Sequence, residues 1–522
     1  MEELKNIPKE KFEFADRSDM SHDKKFDTKP IGYFKDAFLR FCKNKASVVA
    51  AIIIFAIILY AIITPLCGIP EFIDTTYAKM GPRNLVLREI GIATGGSSDN
   101  YNERYMIYHY ALGVAAEDAE GTGATWQEGV ESYYQPVLSM KEKQGRGNNV
   151  TYDASVDTYL DVGFRYRSIS QSEYNSIREW EEQSGIKVLY PLIDEKSGYY
   201  VAPADQNITA NYWYKMSSKW QPVNVVNGKA EEISLDDLLS GDAQLEDNYL
   251  RDESGNPVYY QYTGGGTSET AQYRVRVLYY NYYVYQHGFE PQYLFGTDSQ
   301  GYDLSLRMAR GVQLSLLIAV CVSVINLVLG AIYGAIEGYY GGAVDLVMER
   351  IADILSGVPF IVVATLFQIH LAAQVGAIPS LLFAFVLTGW ISTAARTRTQ
   401  FYRFKNSEYV LAARTLGARD RRIIWKHIFP NSLGTIITSS ILIIPSVIFS
   451  ESMLSFLGIV NFGSSTMTSL GTLLSDAASI WTRYPHLMVF PAIIISLLMI
   501  CFNLFGNGLR DAFNPSLRGV EE

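Results

Sequence analysis

Residues Val48–Ile63 read V-V-A-A-I-I-I-F-A-I-I-L-Y-A-I-I and sit inside a run, Ala46 to Pro70, with no Asp, Glu, Lys or Arg. A bilayer core takes roughly 20 apolar residues as helix, so residues 46–70 predict a first transmembrane helix. A cleaved signal peptide fits poorly. Residues 1–45 precede the run, the run is too long, and no small-x-small cleavage site follows. Thr64-Pro65-Leu66-Cys67 is a poor lipoprotein site, because Leu precedes the Cys.

Four more such runs follow. They are Gly311 to Ile336, Ile354 to Ala395, Ile428 to Ser450 and Tyr484 to Leu509, the last led in by Pro485 and Pro491. The second of these four is too long for one span, and Gly376 and Pro379 divide it into two helices with a tight turn. Six spans are expected. Ser452 to Ser475 is uncharged but rich in Gly, Ser and Thr, so it reads as a loop or re-entrant segment buried against protein.

Whole-chain averages hide this segregation. Over 522 residues the chain is 48% hydrophobic, 19% charged and carries −10 net. A purely soluble enzyme, a disordered chain and a fibrous one are all poor fits. The negative charge also argues against nucleic acid as a partner.

Lys and Arg near the span ends set orientation. Lys24, Lys25, Lys29, Lys35, Arg40, Lys43 and Lys45 precede the first span, and nine basic residues lie between Arg396 and Lys426. With six spans both segments fall on one side, together with Arg510 and Arg518, and that side is the cytoplasm. The loop from Glu451 to Pro485 has only Arg483 and falls outside. Residues 338–353 fall inside without being basic.

Residues 71–292 then form an extracytoplasmic insert. From Phe72 to Gln292 there are 31 acidic and 18 basic residues, a net of −13, and most of the 36 tyrosines. Y-N-E-R-Y-M-I-Y-H-Y reads as amphipathic or alternating, and Y-R-V-R-V-L-Y-Y-N-Y-Y-V-Y alternates like a strand. A folded α+β or mostly β domain is expected. Its acidic, Tyr-rich surface would suit docking of another protein. Cys42, Cys67, Cys321 and Cys501 lie in or beside apolar runs, so no disulfide framework is possible in the insert. The six histidines show no zinc spacing.

Chemistry concentrates in the basic loop, residues 406–431, N-S-E-Y-V-L-A-A-R-T-L-G-A-R-D-R-R-I-I-W-K-H-I-F-P-N. Ser407 is placed to cap a helix whose first turn holds Glu408. Ala412 and Ala413 make a smooth patch, and Gly417 ends the helix in a left-handed conformation. Asp420 is placed to cap a second short helix that Pro430 closes. On the second span, Gly330, Gly334 and Gly338 have the G-x-x-x-G spacing of close helix packing. Glu337 and Asp345 read as interfacial residues at its end. No G-x-x-x-x-G-K-[ST] occurs, so the chain has no P-loop of its own.

The loop resembles the E-A-A loop of ABC-importer permeases, with Glu408, Ala412, Ala413, Gly417 and Pro430 on the pattern and Arg414 beside them. Four further segments resemble the oligopeptide and dipeptide permease C subunit. They are Phe295–Asp303 (F-G-T-D-S-Q-G-Y-D), Gly338–Asp345, Glu451–Gly458 (E-S-M-L-S-F-L-G) and Asn503–Pro515. The resemblance covers residues 31–70 loosely and 293–522 closely. It implies an all-α polytopic membrane protein with six transmembrane helices, a type I ABC-importer permease, to which the insert is added.

On that resemblance, the loop is a coupling helix for a cytoplasmic ATPase, and Gly296, Thr297, Asp298, Gly301 and Asp303 form an outer-mouth motif. The implied partners are a second homologous permease subunit, two ATPase subunits, an extracytoplasmic substrate-binding protein and the lipid bilayer. The chain itself would be no enzyme and hold no cofactor or metal, ATP being bound by the partners. The cargo would be peptides; a metal chelate or glycoside stays open, as does a membrane-anchored binding or sensor protein. Tyr302 and Gln313 depart from the family pattern, which usually has Arg at each position.

Overall fold

The computed structural model describes residues 33–67, 74–122, 133–144, 150–264, 271–462 and 467–513. The expected Lys24, Lys25, Lys29 and Arg518 charges lie outside these. Five helices are long and apolar enough to cross a membrane: Lys45–Leu66, Leu304–Tyr340, Ala377–Phe404, Asp420–Phe456 and His486–Phe513. Gly342–Ser356 and Phe360–His370 form a pair bent by 72°, and counting it as one span makes six. Gly376, at φ +92°, separates that pair from Ala377–Phe404, as its position in the long apolar run predicted.

Several helices outrun their charge-free stretches. Leu304–Tyr340 begins two turns before Gly311 because Asp303 accepts hydrogen bonds from Ser305 N at 2.6 Å and Leu306 N at 3.2 Å. The expected stop at Pro430 does not occur. Ile423–Ile428 adopts π turns and the helix continues through Pro430 to Phe456. Longer i→i+5 bonds rearrange the carbonyls around a residue that lacks an N–H and whose ring would clash in a regular ladder. The expected loop from Ser452 also starts later. Ser452–Phe456 is helical, the left-handed Gly458 (φ +71°) ends the turn, and Leu470–Ala477 is a further short helix.

The insert is an α+β domain. Strands β1 (Gly96–Asn102), β2 (Val137–Gln144) and β3 (Val150–Asp157) form an antiparallel sheet in the order β1-β3-β2. Strands β4 (Phe164–Ser170), β5 (Leu189–Tyr190), β6 (Val223–Val226), β7 (Lys229–Glu232), β8 (Tyr260–Gly264) and β9 (Gln272–Leu278) follow. A second antiparallel sheet has the order β4-β9-β5, with β8 also paired to β9. β6 and β7 form a hairpin whose Asn227-Gly228 turn has both residues at positive φ, the geometry that follows strand twist.

Two expectations about the insert are corrected. The alternating run is a strand only to Leu278; Tyr279–His287 is helix, which places Tyr279 and Tyr283 on Tyr77 with ring centroids 5.0 and 5.4 Å away. The tyrosines also do not make a Tyr-rich surface. Tyr77, Tyr108, Tyr159, Tyr190, Tyr214 and Tyr280 are among many that are buried, whereas Tyr105, Tyr133, Tyr260 and Tyr262 are exposed. Their rings build the core, and some hydroxyls find partners inside it, as Tyr190 does on Ala116 O at 2.6 Å. The helix Glu103–Glu117, expected to be amphipathic or alternating, is instead buried from Met106 to Ala116 apart from Tyr110.

Candidate functional site

The basic loop is built outward from an apolar plug. Val410, on the helix Glu408–Thr415, is fully buried with Ala335, Tyr339, Phe401, Ile423, Ile424 and Ile428. Tyr339 donates its hydroxyl to Asp420 at 2.6 Å, and Arg414 donates to the same hydroxyl at 3.5 Å. Asp420 therefore receives a tyrosine from the end of Leu304–Tyr340 and does not cap its own helix, a correction of the sequence reading. Ser407 occupies the N-cap position, yet its hydroxyl donates back to Phe404 O and makes no cap bond. Gly417 is left-handed at φ +81°, and Ala418 N donates to Ala413 O at 3.0 Å across the turn.

The outward face of this helix is open. Glu408, Tyr409, Leu411, Ala412 and Arg414 are exposed, Ala413 turns partly inward, and Leu416 is 88% exposed at the tip. Ala412 and Ala413 thus do not form one patch, because adjacent helical residues point about 100° apart. Pro430 lies apart from this face, inside the next helix. Sequence reasoning missed Val410, Tyr339 and Leu416. An apolar residue directly before a helix-ending Gly was the available signal for Leu416.

The glycine series sits where the second apolar helix meets Ala377–Phe404. A Cβ on Gly330 would lie 2.6 Å from Thr393 Cβ, one on Gly334 2.1 Å from Ala394 O, and one on Gly338 2.7 Å from Phe401 Cβ. Below this contact one guanidinium ties three elements. Arg398 makes a two-pronged bond to Asp345 (2.6 and 2.8 Å), reaches Glu349 at 3.0 Å and lies 3.5 Å from Glu337.

At the other end, the residues expected at the outer mouth form a clasp between the second apolar helix and the foot of the insert. Thr297 Oγ1 donates to Tyr77 O and accepts from Met80 N at 2.9 Å. Asp298 accepts from Gln300 N and Tyr302 N, both at 2.9 Å, and pairs with buried Arg307 at 3.2 Å. Gly296 (φ +81°) and Gly301 (φ +89°) are required there, since a Cβ on either would lie 2.2 Å from a carbonyl, Met80 O or Asp74 O. Burial pushes the Asp303 carboxyl above the usual range. Burial also pushes at the Asp74 carboxyl, but bonds from Thr76 and Tyr279 and the Arg167 charge outweigh it and hold it below that range. Gln313 donates to Ala61 O at 2.7 Å, linking the second apolar helix to the first. Glu451 is fully buried nearby, accepting from Ser315 at 2.7 Å and Ser455 at 3.0 Å.

Residues 329–519 match the family described as binding-protein-dependent transport system inner membrane component, and residues 32–82 match the N-terminal TM domain of oligopeptide transport permease C. The chain is 42% identical over 224 residues to the oligopeptide transport system permease protein OppC of Bacillus subtilis, spanning 43% of this chain and 72% of that protein. It belongs to the oligopeptide and dipeptide permease C family.

The dipeptide transport system permease protein DppC of the same bacterium is 40% identical over 230 residues, covering 43% of this permease and 69% of the relative. Among solved structures, the inward-facing MetNI methionine ABC transporter is 15% identical at TM-score 0.33, covering 40% of this chain and 96% of that one. By its family, the chain is a multi-pass membrane permease subunit of the type I ABC-importer fold, with a strand-containing domain between its first two apolar helices. Membership sets aside the anchored-sensor reading.

Proposed function

We propose that this permease imports peptides as one half of a transmembrane pathway, driven by partner ATPases that grip the helix Glu408–Thr415. One observation carries the coupling: the helix is rooted by Val410 and by the Tyr339–Asp420 bond, while Leu411 and above all Leu416 are exposed. A rooted helix with an apolar tip transmits a push. Through Tyr339 and Asp420 the push reaches Leu304–Tyr340 and Asp420–Phe456 together. Alternating access then follows as a shift between two states of the paired permeases.

Peptide cargo is supported by the relatives, whose names assign them oligopeptide and dipeptide transport. The Lys/Arg asymmetry supports an orientation with both chain ends and the basic loop in the cytoplasm and the insert outside. There the insert stands beside the pathway mouth, where a substrate-binding protein would deliver cargo. A second permease and two ATPase subunits complete the assembly, and ATP is bound by the latter.

Uptake of a radiolabelled tripeptide by cells deleted for this chain tests the cargo. Uptake is expected to fall to background and to return with the intact gene. Unchanged peptide uptake, with loss of a metal chelate or glycoside instead, contradicts the reading.

A further inference from the structure

A half-open chamber of about 600 Å³ lies where the insert's first sheet meets the segment before the last apolar helix. Arg483 of that segment pairs with Asp99 at 3.4 Å, and Ser97 donates to Arg483 O at 2.9 Å. The chamber is therefore walled by both the insert and the permease core. A recess of about 280 Å³ continues from it, sharing Tyr105, Tyr108 and Tyr212 with the chamber and adding Tyr214 and Trp220. These volumes fall in or near the range of about 300–1,000 Å³ common for small-molecule sites.

Chamber and recess differ in chemistry. Lys79, Arg165 and Arg483 face Asp99, Asp161 and Asp205 around the chamber, three cations against three carboxylates. A phosphate or a simple amine would meet the wrong charge on half the wall. A zwitterion meets a partner for each end. Arg165 donates one N–H to Phe164 O at 2.9 Å, and Asp205 accepts from Asn207 N at 2.8 Å. Among the described residues neither has an ion-pair partner. His109 is 3% exposed, bonds Asp161 at 2.6 Å through Nδ1, and, among the described residues, leaves Nε2 without a hydrogen-bond partner. Such orphaned atoms are rare in a packed interior. The recess is lined by five aromatic rings together with Pro203, Ala204 and Ile208, which suits an apolar side chain, while Arg104 and Asp205 complete its wall.

The walls also hold backbone strain. Among the described residues four non-glycine residues have positive φ, and two of them line these cavities: Lys79 at +64° in the chamber and Trp220 at +66° in the recess. A bulky residue pays a steric penalty there, and such positions concentrate at functional sites. Lys79 is held by its N–H on Asp298 O at 2.8 Å, so the outer-mouth clasp fixes one edge of the chamber.

We propose that the insert itself binds cargo: the chamber holds the charged ends of a short peptide and the aromatic recess takes an apolar side chain. This rests on the reading of the chain as a peptide permease. It gives the insert a receiving role at the mouth of the pathway and does not require a Tyr-rich docking surface.

The test is calorimetric titration of the full-length chain in lipid nanodiscs, without other subunits, with the dipeptide leucyl-phenylalanine. Saturable binding is expected, weakened about tenfold by Trp220→Ala or Tyr105→Ala, each of which removes an aromatic wall. Tyr105 is exposed, so its substitution leaves the core intact. The N-acetylated, amidated form of the same dipeptide needs no variant and should also bind about tenfold more weakly, having lost both charges. No saturable binding overturns the proposal, and so does equal binding of both forms by every variant. Peptide uptake by the assembled transporter separates the two readings: uptake without binding to the isolated chain sinks only the chamber, whereas absent uptake sinks the peptide reading.

Discussion

Gly417→Val is expected to leave the protein in the membrane at its normal level and to lower peptide uptake about tenfold while ATP hydrolysis continues. Nothing lies within 4 Å of a Cβ built on Gly417, so the substitution meets no steric obstacle. The effect is conformational. Gly417 sits at φ +81°, and an L-residue in the left-handed region costs roughly 1–2 kcal/mol, more for a β-branched one. That cost falls on the turn joining Glu408–Thr415 to Asp420, and the exposed Leu416 moves with it. The control is Gly417→Asn, because Asn visits this conformation readily. It should keep most of the uptake. If Val and Asn variants transport equally, the shape of this turn does not matter to coupling.

Gly334→Leu is expected to act differently, by preventing the protein from accumulating. The Cβ alone would sit 2.1 Å from Ala394 O, a backbone atom that cannot swing away. Gly330 and Gly338 bring the same two helices close one turn on either side, though less tightly. Overpacking usually costs about 1–3 kcal/mol, and a clash with backbone along a long helix pair belongs at the upper end. The level of protein in membranes should fall several-fold. Leu329→Ala, on the same helix but 42% exposed, should leave that level unchanged. Equal levels for both variants would show that the glycine contact does not hold the helices together.

The long-range frame was legible because a bilayer imposes a simple demand on sequence. Charge-free runs marked the five long apolar helices and Phe360–His370, and Gly376 marked a break between two of them, but Gly342–Ser356 was missed because its Asp345, Glu349, Arg350 and Asp353 made it read as a loop. Helix ends were less legible. Arg307 and Arg310 look like the edge of a span, yet they lie inside Leu304–Tyr340, since a helix extends until a cap or a left-handed residue stops it. Pro430 failed as a stop because the π turn before it absorbs the missing bond.

In the basic loop the local features were readable and the tertiary ones were not. Gly417 announces its own conformation, whereas the Tyr339–Asp420 bond joins residues 81 positions apart. The chamber was invisible for the same reason. Lys79, Arg165 and Arg483 come together only through the folded insert and the clasp at Thr297 and Asp298. The abundance of tyrosine was read as surface because nothing in composition tells a buried ring from an exposed one. The structure resolves it: ring contacts build the core, and hydroxyls such as those of Tyr190, Tyr283 and Tyr293 are satisfied inside it.

A photo-crosslinking amino acid in place of Leu416 tests the central claim, that this loop is where ATP-driven motion enters the permease. Leu416 is 88% exposed, so the probe disturbs no packing. Irradiation of the assembled transporter in membranes should give one adduct, of the permease with an ATPase subunit, and its yield should change when ATP is added. A transporter that imports peptide normally yet gives no ATPase adduct from this position would contradict the account.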